Sequence, residues 1–474
     1  MTGPMTPRGF AARGNVTGLG TGEEATQRSI AEDVARWAAS RGLTPVALTG
    51  FSLCFAVIAA IWLTGISVHA EATAFAALAA SFVTCRAARW YSAGQVTAAT
   101  DWTQGACALF AELAVYAGIA GGVSANASVG ANASADASVG AGTGLTGPVG
   151  EHLRSTFLAT FGGSGPNGVW LLAVAAAILL AVREMANMSL ASAKARTAVI
   201  DGPEAARKVL VPAQSSGAKL ILLCLVVMLA GARTAFVCAL VVGVLALLVR
   251  IRVAGPNSGA IGYRGDGPLA VWLGSFAAGR LPPMLPLFVG LLVTGVLTWF
   301  GLGNLPGILV FTPAEAMLLA AFGCWHPHDG SRDWLVPALL QAGEYLFLVA
   351  LGFAGHVPGP VTFALLAAVV FRHFDLAYRA RDQVSPAWFI RQGGRAPVLP
   401  GADWRGLGWE GRMIVAAIAA AAGILPYAYP VFAMYLWVLL VRDAIQGWIP
   451  ASAAAQAQAQ APGTGSAGHA TVDG

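Results

Sequence analysis

Charged residues are scarce in this chain. Aspartate, glutamate, lysine and arginine together make up 11% of the 474 residues, whereas hydrophobic residues make up 57%. Soluble domains carry roughly 25% charged residues, so this composition excludes a soluble globular protein. Only three lysines stand against 25 arginines, which, with the excess of alanine and glycine, is typical of a bacterial genome of high GC content. We expect a multi-pass protein of the bacterial cell (plasma) membrane.

Three further features are small or missing. The net charge of +5 is too small to predict a nucleic-acid partner. None of the six cysteines forms a CxxC pair and all lie in apolar runs, which indicates packing residues rather than disulfides or metal ligands. Residues 1–27 lack the apolar stretch of a signal peptide. We expect that N-terminal segment to be disordered.

Long apolar runs are present instead. About 20 apolar residues cross the hydrocarbon core of a bilayer, and twelve runs approach or exceed that length. These runs are 46–68, 72–90, 103–123, 168–188, 218–231, 234–250, 284–302, 306–325, 335–354, 360–376, 412–425 and 428–446. The predicted fold class is all-α, a polytopic transmembrane helix bundle of about 12 spans. The fifth and sixth runs, separated by Gly231-Ala232-Arg233, form either a tight hairpin or one kinked helix.

The basic residues indicate the orientation of the spans. With twelve spans and a cytoplasmic N-terminus, only Arg154 and Arg233 of the 28 lysines and arginines lie outside. This asymmetry follows the positive-inside rule. Both termini are therefore predicted to be cytoplasmic.

Low-complexity segments suggest the domain boundaries. Residues 124–166 begin with Ala/Ser/Gly/Asn repeats and predict an external loop, and the Gly/Pro-rich residues 253–268 separate two halves of six spans each. The predicted division is a disordered N-terminus (1–27), an N-terminal module (28–252), a C-terminal module (253–450) and a disordered tail (451–474).

Ionisable residues crowd the end of the tenth run, in FRHFDLAYRAR (371–381). On a helix, Arg372, Asp375 and Arg379 share one face because they are three and four residues apart. A carboxylate between two guanidiniums stays ionised, and the arginines keep donors for a phosphate at the level of the lipid headgroups. The same arginines also fit a simple positive collar that follows a membrane span.

Other charged residues extend this candidate site. Arg412 opens the eleventh run and joins Arg372 and Arg379 as a predicted ligand for an anionic group, while Glu344 lies within the ninth run. Carboxylates inside a membrane are costly and commonly functional, although a structural ion pair or a protonated acid explains them too. The candidate catalytic residues are Asp375, His373 and Glu344. We predict no metal site.

Two segments carry a resemblance to a known family. Residues 81–122, SFVTCRAARWYSAGQVTAATDWTQGACALFAELAVYAGIAGG, resemble the signature region of bacterial CDP-alcohol phosphatidyltransferases. Residues 170–189, WLLAVAAAILLAVREMANMS, resemble the helix that follows this region in the family. Downstream, RDWLVPALLQAGEY, FRHFDLAYRAR and GWEGR resemble an uncharacterised membrane module that is fused behind such transferases in high-GC Gram-positive bacteria.

The resemblance implies an altered active site. The family pattern is D-G-x-x-A-R-x8-G-x3-D-x3-D, and its aspartates bind divalent metal and the CDP pyrophosphate. Aligned on ELAVYAG, the positions of the first Asp and Gly and of the last two aspartates hold Arg86, Ala87, Gln104 and Ala108. Metal ions beside a pyrophosphate need anionic oxygen ligands, so no catalytic residue is transferred from the family.

Three functions follow as expectations. The first is an accessory protein or pseudoenzyme of envelope-lipid metabolism that binds an anionic phospholipid, a CDP-lipid or a headgroup, without a cofactor. The second is an active phosphotransferase that uses residues of the C-terminal module and Mg²⁺. The third is a transporter or flippase. The bilayer itself is the expected partner in all three, and the oligomeric state stays open.

Overall fold

The protein is all-α in the residues that the structure, a computed structural model, describes. These residues are 30–65, 68–92, 98–131, 166–201, 216–253, 264–277, 279–282, 284–299, 312–323, 332–383 and 405–460. Fourteen α-helices form within them: α1 (Ile30–Ser40), α2 (Pro45–Trp62), α3 (Val68–Ser92), α4 (Ala98–Ala131), α5 (Pro166–Asp201), α6 (Ser216–Ala230), α7 (Ala232–Val253), α8 (Pro268–Ala277), α9 (Met284–Trp299), α10 (Thr312–Leu318), α11 (Val336–Ala354), α12 (Gly359–Gln383), α13 (Gly408–Ala421) and α14 (Leu425–Gln460). The predicted fold class is confirmed at the level of a helical membrane protein.

Seven segments of these helices are long and apolar enough to cross a membrane. They are Pro45–Trp62, Thr100–Ala125, Gly168–Leu190, Ala232–Arg252, Asp333–Ala354, Gly359–Ala380 and Leu425–Gln446. The apolar parts of α6, α8 and α9 are shorter, with 10 to 17 residues. The seventh run of the prediction thus corresponds to a helix of 16 residues, Met284–Trp299. Seven spans are supported within the described residues, and the count of twelve stays a prediction.

The long apolar run 218–250 is broken where the sequence suggested. Helix α6 ends at Ala230, α7 begins at Ala232, and Gly231 between them has a φ of +83°. That left-handed conformation suits glycine because it has no Cβ. The run therefore contains two helices rather than one continuous helix.

Two element boundaries and one additional helix differ from the sequence-based prediction. Helix α4 continues to Ala131 and α14 continues to Gln460, so the starts of the predicted loop 124–166 and tail 451–474 are helical. The alanines and glutamines of 451–460 are strong helix formers. Helix α8, within the predicted C-terminal module, was missed because ten residues are too few for a span.

Helices α2 and α4 approach closely through glycine. A Cβ on Gly118 would lie within 2.3 Å of the Ala60 carbonyl oxygen, and one on Gly122 within 2.4 Å of the Leu63 carbonyl oxygen. The spacing of four residues places both glycines on one face of α4. Small residues at this spacing let membrane helices pack backbone to backbone.

The two halves of the chain share one hydrophobic core. Helix α5 packs against α11 and α12, and α4 packs against α12. Aromatic pairs cross this junction: Trp170 stacks edge-on against Phe363 with ring centres 5.8 Å apart, and Phe110 lies 5.8 Å from Phe371. The junction positions the charged residues described next.

Candidate functional site

A buried polar group lies among α11, α12 and α13. Gln341, Glu344 and Tyr345 share one face of α11 because they are three and four residues apart. His373 comes from α12 and Arg412 from the first turns of α13. We call these five residues the C-terminal cluster. Each is at most 1% exposed.

An ion pair forms the centre of the C-terminal cluster. Arg412 Nε donates to Glu344 Oε1 at 2.5 Å, and Nη2 donates to Glu344 Oε2 at 3.1 Å. The third guanidinium nitrogen, Nη1, donates to the carbonyl of Gly406 at 2.9 Å. Such a two-point contact is the strongest arrangement of arginine and carboxylate. It compensates for burying both charges.

Hydrogen bonds continue from the ion pair through the histidine. His373 Nε2 lies 2.5 Å from Arg412 Nη2, and His373 Nδ1 lies 2.9 Å from the Tyr345 hydroxyl. A guanidinium only donates, so Nε2 accepts and we assign the ring proton to Nδ1. The tautomer is thus fixed by the network.

A second set of charges lies along α12 and α14. Arg379 Nε donates to Asp375 at 2.8 Å, as the helical spacing predicted, and its Nη2 donates to the backbone carbonyl of Asp443 at 2.7 Å. Arg372 donates to the Asp443 carboxylate at 2.5 Å. The stripe that the sequence placed on one helix is therefore tied to a second helix through Asp443.

The N-terminal half contains its own charged group, which we call the N-terminal cluster: Glu112 of α4 with Arg183 and Glu184 of α5. Arg183 Nη2 lies 3.1 Å from Glu184 Oε1 and 3.8 Å from Glu112 Oε2. Both glutamates are buried, with relative exposures of 3% and 8%. Arg183 therefore lies close to a glutamate on its own helix and to one on α4.

One further buried carboxylate serves a structural role. Glu410 accepts hydrogen bonds from the backbone amides of Gly267 and Ala270 at 3.0 and 3.1 Å, and so caps the start of α8. Burial raises the pKa of Glu410, which precedes the predicted span 412–425, to about 7, while the backbone donors act in the opposite direction. The contact fixes the entry of α13 against α8.

Comparison with protein families finds a match over the part of the chain that contains the C-terminal cluster. Residues 262–466 match the model of a family of unknown function, DUF5941. The DUF5941 match begins inside the boundary predicted at 253–268 and confirms an uncharacterised C-terminal unit. It does not reach the transferase-like module 28–252, whose resemblance stays a prediction. No curated protein and no solved structure matches this chain.

The C-terminal cluster and both arginine–aspartate contacts lie within the DUF5941 segment. The structure brings predicted residues Glu344, His373 and Arg412 into direct contact and keeps Arg372, Asp375 and Arg379 in a neighbouring set. Their predicted roles in catalysis and anion binding stay predictions. Sequence reasoning missed Asp443, although the arginine and aspartate that follow the apolar stretch YLWVLLV are a usable signal.

The structure describes Arg86 and Gln104, two residues at positions where the predicted resemblance would place acidic residues of the family. Arg86 on α3 contacts the face of the Phe82 ring, with 5.8 Å to the ring centre. Gln104 on α4 donates to the Ser92 hydroxyl at 3.1 Å. Within the described part of the chain, no group of three His, Cys, Asp or Glu side chains could hold a metal ion. These positions do not fit the Mg²⁺ that an active transferase of the family would bind.

Proposed function

We propose that this chain is an accessory membrane protein of bacterial envelope-lipid metabolism that binds the anionic headgroup of a phospholipid. The binding surface is the arginine-rich end of α12, α13 and α14. The proposal includes the twelve spans and the cytoplasmic termini predicted from the sequence, which place this end at the inner leaflet. It also includes an N-terminal module that resembles a CDP-alcohol phosphatidyltransferase without its acidic residues.

The observation that carries the proposal is the exposure of basic side chains at this surface. The side chain of Arg379 is 27% exposed, whereas that of its partner Asp375 is 1% exposed. Arg405 and Arg442 are also exposed: Arg442 precedes Asp443 in α14, and the backbone carbonyl of Arg405 accepts from the Tyr435 hydroxyl of α14. The Arg372–Asp443 pair has the opposite arrangement, with side-chain exposures of 3% and 16%, so the outward-facing positive charge comes from Arg379, with Arg405 and Arg442 as further exposed basic residues.

The remaining predicted arginines support this surface from inside. Arg372 is 3% exposed and Arg412 is fully buried, and each donates to a carboxylate on another helix. In the proposal, Arg379 contacts the lipid phosphate directly. Arg372 and Arg412 hold α14 and α13 in place beside α12.

The test is lipid binding measured by native mass spectrometry on protein released from nanodiscs. We expect Arg379→Gln to reduce bound phosphatidylglycerol about five-fold relative to phosphatidylcholine, because one basic residue near a membrane contributes about 1 kcal/mol. The matched control is Arg36→Gln on α1, another partly exposed arginine paired with an aspartate, Asp33, on its own helix. Equal losses in both variants would reduce the surface to a general positive collar.

A transporter or flippase is the second candidate. The buried C-terminal cluster favours it, because ionisable groups inside a membrane bundle commonly mark the path of a substrate or proton. Substrate or proton flux into proteoliposomes, abolished by His373→Phe, would support transport over static lipid binding.

A further inference from the structure

A small cavity lies at the junction of the two halves, enclosed by α4, α5, α11 and α12. Its volume is about 10 Å³, close to the minimum that accommodates one water molecule. Apolar side chains form most of its wall. The polar groups stand on two sides, Glu184 from the N-terminal half and Gln341, Tyr345 and His373 from the C-terminal half.

One polar atom on this wall is unpartnered. Gln341 is 0% exposed, and within the described residues its Nε2 has no hydrogen-bond partner. Buried amide donors in native proteins are nearly always paired with protein or with ordered water, because an unmade hydrogen bond destabilises the folded state. An acceptor in the cavity beside Gln341 removes that cost.

The hydrogen bonds of the C-terminal cluster run toward the cavity. The proton on His373 Nδ1 is donated to the Tyr345 oxygen, which leaves the Tyr345 hydroxyl to donate onward. Its next partner is Gln341 Oε1, at 3.5 Å. Gln341 Nε2 then presents a donor at the end of a chain that starts at Arg412. A group bound in the cavity must therefore accept from this side.

The opposite wall supplies acceptors. Glu184 lines the cavity and its Oε1 is bonded to Arg183. A carboxylate has about four lone-pair positions, so Glu184 can accept from more than one donor. A molecule bound in this cavity must accept a hydrogen bond from Gln341 and donate one to Glu184, and the cavity has room for only one non-hydrogen atom. A water molecule meets both requirements.

We propose that this cavity binds one water molecule, which accepts from Gln341 Nε2 and donates to the Glu184 carboxylate. The water joins the N-terminal cluster to the C-terminal cluster in one hydrogen-bonded network across the junction. A change of charge in the N-terminal cluster thereby alters the hydrogen bonding of the C-terminal cluster. The proposal does not depend on lipid binding at the surface of α12.

The test is a double-mutant cycle on thermal unfolding in nanodiscs. Gln341→Met keeps the size of the side chain and removes the bond to the water from one wall, and Glu184→Gln weakens it on the other. We expect each single variant to lower the midpoint by several degrees. Because both substitutions disrupt the same bridge, the double variant should lose less than the sum of the two single losses, although it should lose more than Gln341→Met alone, since Glu184→Gln also weakens the contact with Arg183.

The control cycle pairs Glu184→Gln with Thr362→Val. Thr362 Oγ1 is also buried without a partner in the described residues, but Thr362 is not part of the cavity wall. Thr362→Val should leave the midpoint equal or raised, and its effect should add to that of Glu184→Gln. The proposal is overturned if the Gln341 cycle is equally additive. It is also overturned by an empty cavity in a density map that resolves other buried waters.

Discussion

The ion pair between Glu344 and Arg412 leads to an asymmetric prediction. Both side chains are completely buried, so replacing one leaves the other without its main partner. An arginine cannot lose its proton in a protein, whereas a carboxylic acid becomes neutral by taking one up. Glu344→Gln, which leaves Arg412 charged, should therefore lower the free energy of unfolding by about 3–5 kcal/mol. Arg412→Gln should cost clearly less.

The stability of the double variant, with both Glu344 and Arg412 replaced, tests this explanation. Two glutamines leave no uncompensated buried charge, and one amide can donate to the other, so Glu344→Gln with Arg412→Gln should recover about 2–3 kcal/mol of the summed losses. Reversible unfolding in bicelles, followed by fluorescence of the 14 tryptophans, measures each value. The exposed pair Arg36–Asp33 is the control, with an expected coupling below about 1 kcal/mol. Additive losses at Glu344 and Arg412 would refute the prediction.

Two further predictions concern packing. Gly118→Ala should destabilise the protein by about 1–3 kcal/mol, because its Cβ would clash with the backbone of Ala60. The control Gly121→Ala should be neutral or slightly stabilising, because its Cβ would lie 3.7 Å from the Thr64 methyl group. The free energies of unfolding of the two variants are compared in detergent. Fragments cut between residues 258 and 259 should co-purify when co-expressed, because their cores are continuous, and independent fragments would contradict that packing.

The helical parts of the fold were predictable because hydrophobic runs of span length leave few alternatives in a membrane. The break at Gly231 was also readable, since Gly-Ala-Arg interrupts an otherwise apolar run. Helix ends were less predictable. Composition suggested loops at 124–131 and 451–460, but nothing in alanine-rich sequence terminates a helix once it has begun.

Contacts within one helix followed from spacing, as Asp375–Arg379 shows, because residues four apart are neighbours on any α-helix. Contacts between helices did not. Arg412 pairs with Glu344, 68 positions away, and Arg372 pairs with Asp443, 71 positions away. The packing of whole helices against each other brings these residues together. Sequence identified most of these residues as unusual without showing which of them pair.

The burial of Arg412 also constrains how the protein enters the membrane. An arginine at the centre of an isolated helix costs about 2.5–3.5 kcal/mol on insertion, and α13 has only 14 residues to offset it. The carboxylate and imidazole that receive Arg412 belong to α11 and α12, which leave the ribosome earlier. In the twelve-span prediction, α13 therefore enters a bilayer that already contains its binding partners, and the order of synthesis contributes to its insertion.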